Sequence, residues 1–282
     1  MPTFDLPDGT HVPRLGLGTW RLGEQRSHRD DERAALKLGL DLGLSLIDTA
    51  EMYGEGRAEE LIGEGIAGRR ERVYLVSKVY PHNATRRGAV AACERSLRRL
   101  QTDYLDLYLL HWRGGVPLAE TLEAFVALAD AGKIRRFGVS NFDVDDLVEA
   151  AALPGGAAIA TDQVLYNLAH RGIEWDLVDW CRAHGLAVMA YSPLGSSLHR
   201  VKRLLGATSV RAVADRHGAT PAQVALAWTL RHDGVYVIPK AAKPEHVREN
   251  RGALELALTP EDLATLDAAF RPPRHKVALE LL

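Results

Sequence analysis

Leu44-Ser-Leu-Ile-Asp48 and Val73-Tyr-Leu-Val-Ser-Lys78 are the stretches that decide how this chain folds. Both are short and apolar, both are flanked by helix-like sequence, and both end in a single charged residue. Side chains alternate faces along a strand, so Leu44, Leu46 and Asp48 share one face, and Tyr74, Val76 and Lys78 share another. In Leu105-Asp-Leu-Tyr-Leu-Leu-His111, three leucines likewise share a face with His111. Three apolar rows that each finish in an ionisable group are expected of strands that fill a barrel interior and carry chemistry at their carboxyl ends.

Outward from these segments, short apolar runs alternate with longer amphipathic ones. The strand candidates are Leu15–Thr19, Leu44–Asp48, Val73–Lys78, Tyr104–His111, Ile134–Ser140, Ala158–Gln163, Ala187–Tyr191 and Val235–Pro239. Between them, apolar residues recur at helical spacing in Asp30–Leu42, Ala58–Ala67, Thr85–Leu100, Leu118–Ala131, Asp143–Ala152 and Glu174–His184. Strictly alternating strands and helices imply parallel strands with crossover helices. Before the last strand the pattern adds two helices, Val201–His217 and Pro221–His232. The second opens Thr220-Pro-Ala-Gln223, an N-cap with Pro in the first turn and Gln in the capping-box place; Thr259-Pro-Glu-Asp262 opens a final helix to Phe270 in the same way. At the start, Thr3 to Val12 reads as a β-hairpin about a Pro7-Asp8-Gly9 turn.

No linker or low-complexity tract divides the 282 residues. The expectation is one domain over 1–282, a (β/α)8 TIM barrel with an N-terminal β-hairpin and extra C-terminal helices. Gly16-Leu-Gly18 gives the first two glycines of a dinucleotide fingerprint, but Arg21 stands where the third belongs, so a dinucleotide would bind here in some other mode than the Rossmann one.

Composition narrows the function. With 35 Lys+Arg against 37 Asp+Glu, the net charge of -2 gives no broad attraction to nucleic acid or an anionic membrane. Cys93 and Cys181 fall in helical segments without a neighbouring basic cluster, which predicts buried thiols in a reducing compartment. Met1 to Gly16 lacks a basic region followed by an apolar run, so no signal peptide is read there, and the cytoplasm is the expected address. No His/Cys/carboxylate cluster has metal-ligand spacing, and no metal is expected.

Asp48, Lys78 and His111 arrive together at the face where such barrels react their substrates. A solvated rim would explain any one of them alone; the three together favour function. Tyr53, in the loop Thr49-Ala-Glu-Met-Tyr-Gly54, supplies a phenol that an adjacent ammonium could activate, with a carboxylate keeping that ammonium charged. Asp106, on the opposite parity, is read as a buried, hydrogen-bonded carboxylate facing the helices.

Asp48-Thr-Ala-Glu-Met-Tyr53-Gly, Val76-Ser-Lys78, Asp106-Leu-Tyr-Leu-Leu-His111-Trp, Lys133-Ile-Arg-Arg-Phe-Gly-Val-Ser140-Asn141-Phe and Ile238-Pro-Lys240 resemble the aldo-keto reductase motifs, in order and at the family's spacing. The resemblance runs from the hairpin to about Phe270 and leans towards the bacterial methylglyoxal and general aldehyde reductases. It implies reduction of aldehydes and ketones by a nicotinamide cofactor. Tyr53 would be the general acid, Lys78 would lower its pKa, Asp48 would pair with Lys78, and His111 would orient the carbonyl. Ser140, Asn141 and Gln163 would hold the nicotinamide carboxamide, and Tyr191 would stack on the ring. Gly18, Thr19 and Trp20 would line the cofactor path, Ser192, Leu194 and Ser196 would grip the pyrophosphate, and Glu249 and Asn250 would meet the adenine.

Lys240 would meet the 2′-phosphate of NADP(H), the preferred cofactor, with NAD(H) also admitted. Ala241 and His246 replace the family's usual serine and arginine there; Lys243 and Arg248 either compensate or are solvated helix surface. Asp162 stands where the family more often has Asn. At Asn141 a helix N-cap is as good a reading as a cofactor ligand. Trp20, Tyr80 and Trp112 each follow a strand end and either wall an apolar substrate pocket or pack under loops. The expected partner is a small carbonyl compound, for a monomer or weak oligomer. The alternatives are a Schiff-base aldolase acting through Lys78 and a cofactor-binding regulatory subunit with little turnover.

Overall fold

The computed structural model describes residues 2–6 and 9–282. Two short antiparallel strands, β1 (Thr3–Asp5) and β2 (His11–Pro13), form the N-terminal hairpin; its expected turn at Pro7-Asp8 lies outside the described residues. Next come β3 (Leu17–Gly18), α1 (Arg29–Asp41), β4 (Leu46–Asp48), α2 (Arg57–Gly65), β5 (Tyr74–Val79), α3 (Arg86–Leu100), β6 (Leu107–Leu110), α4 (Leu118–Asp130), β7 (Phe137–Ser140), α5 (Val144–Ala152), β8 (Ile159–Leu165), α6 (Leu177–Ala183) and β9 (Ala187–Tyr191). Then follow α7 (Leu198–Leu205), α8 (Thr208–His217), α9 (Pro221–Thr229), β10 (Val235–Val237), α10 (Pro244–Gly252) and α11 (Pro260–Ala269).

Among the described residues, β3 to β10 form an eight-stranded sheet in sequence order, every neighbouring pair parallel. The two edges meet: Leu15 bridges Val237, Gly18 bridges Lys240, and Gly16 N–H donates to the Val237 carbonyl at 2.8 Å. The sheet therefore closes as the expected (β/α)8 barrel. Gly18 makes the seam possible, since a Cβ there would lie 2.5 Å from the Ile238 carbonyl oxygen. The two glycines of the partial fingerprint serve closure of the barrel.

Two apolar layers result. The outer one joins strands to helices, for example Ile47, Leu75, Tyr108 and Val139 against Leu36, Ile62, Cys93 and Phe125. The inner one holds Leu46, Tyr74, Val76, Leu107, Leu109, Met189 and Tyr236, together with Leu6 and Val12 of the hairpin segment. Phe4 lies against Tyr236 at 5.0 Å between ring centroids, so the hairpin plugs the end where the strands begin. The opposite end is left for the site. Leu44 and Leu105, expected inside, belong to the outer layer, because the pleat begins only at Leu46 and Leu107 and the residues before them enter from the helix side.

Helix ends follow local chemistry. Thr220 with Gln223, and Thr259 with Asp262, form the capping boxes their sequences predict. The helix expected over Val201–His217 is two, α7 and α8, interrupted at Gly206-Ala207. The stretch expected from Glu174 opens with a turn at Gly172–Glu174 and becomes α-helical only at Leu177. Asp106 sits where its parity puts it, 8% exposed, accepting from Leu75 N–H at 2.9 Å and from Arg70 at 2.8 Å. Cys93 and Cys181 are buried free thiols; burial pushes Cys93 up to about 12 and raises Cys181 as well, so neither is a thiolate at neutral pH.

Candidate active site

Strand register assembles the site. Asp48 is level with Gly18 on one side and Val76 on the other. Lys78, the next inward residue of β5, therefore ends one step beyond Asp48 and reaches across to it. Lys78 Nζ donates to Asp48 Oδ2 at 2.8 Å, to the Thr49 carbonyl at 2.8 Å and to the Tyr53 phenol oxygen at 3.2 Å. Those three acceptors use all the donors an ammonium has. With Lys78 0% exposed and so engaged, no carbonyl carbon can approach Nζ, which removes the Schiff-base reading.

The carboxylate is held on its other side by Gln163 Nε2, which donates to Asp48 Oδ1 at 2.8 Å. Tyr53 enters from the turn after β4, where Gly54, Glu55 and Gly56 all take left-handed backbone angles, at φ 57°, 58° and 92°. Only a chain rich in glycine adopts such a run at low cost. Glu51 anchors this loop by accepting from Tyr80 N–H at 2.8 Å and Asn83 Nδ2 at 3.0 Å. No sequence signal marks Glu51, because its partners lie about thirty residues away, just beyond the end of the next strand.

Burial governs protonation here. It raises the Asp48 carboxyl and lowers the Lys78 ammonium, while the ion pair opposes both shifts. The pair stays ionised, since each charge is met by several hydrogen bonds. Burial, aided by the Asp48 charge, pushes the Tyr53 phenol well above its usual range. That is opposite to the lowering implied by the resemblance: a contact with Lys78 at 3.2 Å does not outweigh desolvation of the phenolate. His111 is driven well below the usual imidazole range by burial and then by Lys78, so it is neutral at physiological pH. Its ring meets Tyr53 edge-on at 5.7 Å, and its Nδ1 is buried without a hydrogen-bond partner.

A second group lines up on the ends of β7, β8 and β9. Asn141 Nδ2 donates to the Ser140 hydroxyl and to the His111 carbonyl, each at 3.1 Å, and Tyr191 OH donates to Asn141 Oδ1 at 2.8 Å. Asn141 at φ 63° and Ser192 at φ 49° are left-handed non-glycine residues, the kind of backbone strain that gathers at functional sites. Asn141 is not a helix N-cap: Asp143 caps α5. Uncharged amide and hydroxyl groups beside a half-buried phenol ring have the chemistry to hold an aromatic ring bearing a carboxamide. These residues thus fit a nicotinamide.

The remaining candidates spread along the same face. Thr19 Oγ1 donates to the Asp48 carbonyl at 2.8 Å. Trp20 is 37% exposed beneath the Arg21 guanidinium, 4.5 Å from its ring centre. Tyr80 and Trp112 pack edge-on at 5.0 Å, with Trp112 4.9 Å from His111, forming one aromatic wall. Ser192, Leu194 and Ser196 follow β9, and Asn167, which the sequence did not single out, donates to the Ser192 carbonyl at 2.9 Å. Lys240 is exposed beside the Gly18 seam. On α10, Asn250 is 4% exposed, and Glu249 lies 3.4 Å from His246. Lys243 approaches Glu245 at 3.9 Å, while Arg248 has no ion pair among the described residues. Among those residues no group of His, Cys, Asp and Glu could hold a metal ion, and no helix is long and apolar enough to cross a membrane.

The fold and this constellation define the class, a (β/α)8-barrel oxidoreductase. The chain belongs to the Aldo/keto reductase family, whose model matches residues 14–271. It is 52% identical over 271 residues to methylglyoxal reductase YeaE of Escherichia coli (strain K12), covering 96% of this chain and 95% of that protein. Glyoxal reductase of Bacillus subtilis (strain 168) is 35% identical over 275 residues, covering 96% and 94%. Among solved structures, an aldo/keto reductase from Klebsiella pneumoniae in complex with NADP and acetate matches with a TM-score of 0.96 at 51% identity, covering 99% of both chains.

Proposed function

We propose that this protein reduces small aldehydes and ketones, α-oxo-aldehydes such as methylglyoxal among them, to alcohols with NADPH. The observation that carries the reading is the chain of contacts Asp48–Lys78–Tyr53, 2.8 Å and 3.2 Å long, buried at Asp48 and Lys78 and partly open at Tyr53 on the barrel mouth. When bound, the reduced nicotinamide supplies a hydride to the carbonyl carbon. Tyr53, kept protonated by burial, gives its hydroxyl proton to the carbonyl oxygen. The phenolate left behind faces the Lys78 ammonium, which stabilises it, and Asp48 keeps that ammonium charged and aimed. Neutral His111 has one N–H to offer the same carbonyl oxygen, and the Tyr80–Trp112 wall shields the organic part of a small substrate.

Ser140, Asn141 and Gln163 hold the carboxamide, and Tyr191 stacks on the ring. Trp20 would line the cofactor path, Ser192, Leu194 and Ser196 would take the pyrophosphate, and Lys240, with Lys243 and Arg248 as further cations nearby in the sequence, would take the 2′-phosphate. Glu249 and Asn250 meet the adenine. Two buried free thiols suit a reducing cytoplasm. The test is a spectrophotometric screen of NADPH and NADH oxidation against methylglyoxal and aromatic aldehydes. Turnover with NADPH is expected, and none with any carbonyl would overturn the reading. Losing one charge-assisted contact of about 1.5–3 kcal/mol, Lys240→Ala should weaken NADPH by roughly tenfold or more and NADH far less. Equal losses would place the 2′-phosphate elsewhere.

A further inference from the structure

We propose that the cleft behind the loop after β9 is a second ligand site, built for a small organic phosphate monoester. It holds about 510 Å³, within the range of about 300–1,000 Å³ typical of small-molecule sites and larger than an inorganic ion needs. Its walls come from the loop after β8, from Gly195, from α7, from the start of α8 and from the end of α11. None of Asp48, Tyr53, Lys78 and His111 lines it, and neither does any residue proposed above to hold the cofactor. The inference therefore stands apart from the reductase reading.

The lining has one sign of charge. Arg200, Arg203 and His199 line the cleft, and among the described residues no Asp or Glu does. Among the described residues Arg203 and His199 make no ion pair, and the side chain of Arg200 makes a single hydrogen bond, to the Ser196 hydroxyl at 3.4 Å. His170, also on the wall, is held by Glu280 at 2.9 Å and contributes no free cation. Two unpaired guanidinium forks on one helix, with a histidine just before the first of them, form an anion-attracting edge with no carboxylate among the described lining residues to satisfy it.

The far wall adds unsatisfied donors. Helix α8 has Ala207 in its N-cap place, a side chain that cannot cap it, so its first-turn N–H groups are uncapped. Ser209, in that turn, has a buried hydroxyl with no hydrogen-bond partner. Guanidinium forks, a hydroxyl and helix N–H groups outnumber the two oxygens of a carboxylate and match the three terminal oxygens of a phosphate monoester. Leu204, Ala207 and Phe270 supply an apolar surface for the organic body. Asn167, on the same wall, holds the Ser192 carbonyl, so an occupant would sit against the back of the proposed pyrophosphate loop.

The test is calorimetric titration of phenyl phosphate into protein already saturated with NADP. One-to-one binding is expected, with neutral phenol silent, and Arg200→Ala/Arg203→Ala should weaken it at least about tenfold, as loss of charge-assisted hydrogen bonds does. Both arginines are exposed, so thermal melting of the variant should match the parent and exclude misfolding. No binding at about 10 mM phenyl phosphate, far weaker than a specific site gives, would overturn the proposal. So would binding that survives the double substitution. Binding seen only without NADP would assign the cleft to the cofactor, and benzoate binding as tightly as phenyl phosphate would overturn the phosphate class.

Discussion

Tyr53 shows how desolvation and a neighbouring charge compete at one oxygen. The ammonium at 3.2 Å favours the phenolate, yet burial and Asp48 favour the phenol more strongly. An acid that must still hold its proton when substrate arrives is well served by that balance. Tyr53→Phe should cut reduction by about 10²–10⁴, the usual contribution of a positioned acid, and leave NADPH affinity nearly intact; unchanged turnover in steady-state assays would remove Tyr53 from the chemistry. His111 gives a pH prediction. Its folded value lies below the ordinary 6.5, so as pH falls through 6.5 the unfolded chain binds a proton that the folded one refuses, and stability declines. The fall in urea midpoint between pH 7 and pH 5.5 should be smaller in His111→Gln, and identical falls would contradict the burial argument. Strand parity alone placed Asp48, Lys78 and His111 correctly. The direction of the Tyr53 shift was hidden, because no local pattern records how much water a side chain loses.

At the level of elements, strands were easier to locate than the helices near the carboxyl end. Helix α10 shows in the sequence only as solvated helix surface around Lys243 and Arg248, without bounds, because it buries little more than Val247 and Asn250, too few residues to make an apolar stripe. The expected helix Val201–His217 looked continuous because periodicity carries across Gly206-Ala207, whereas the chain turns there and starts α8 afresh. That break opens the cleft carrying Arg200 and Arg203. Glycines at the seam act in the opposite sense, letting strands approach. In Gly18→Ala the new Cβ would meet the backbone oxygen of Ile238, which cannot swing aside as a side chain can. A cost of about 1–3 kcal/mol is expected from such overpacking, measurable by chemical denaturation; a neutral result would mean that the seam is looser than its hydrogen bonds indicate.

Over the whole molecule, the barrel divides its labour between two ends. The hairpin closes the end where strands begin, and the proposed reactive groups occupy the other, so stability and activity should separate. Leu6→Ala, at a residue 5% exposed in the inner layer, should cost about 2–5 kcal/mol of stability while leaving kcat/KM for methylglyoxal unchanged at 25 °C. Denaturation and kinetics on the same preparation would check this, and a parallel loss of activity would show the two ends to be coupled. The sequence by itself determined the alternation of strand and helix, hence a parallel barrel, and which ionisable residues end its inward rows, because both follow from periods of a few residues. Only the tertiary structure decided that the seam closes at Gly18, that the hairpin plugs the interior, that Lys78 spends all its donors on Asp48, Thr49 and Tyr53, and that burial outweighs charge at the phenol. Each of these depends on atoms brought together from distant parts of the chain, and desolvation exists only once they have met.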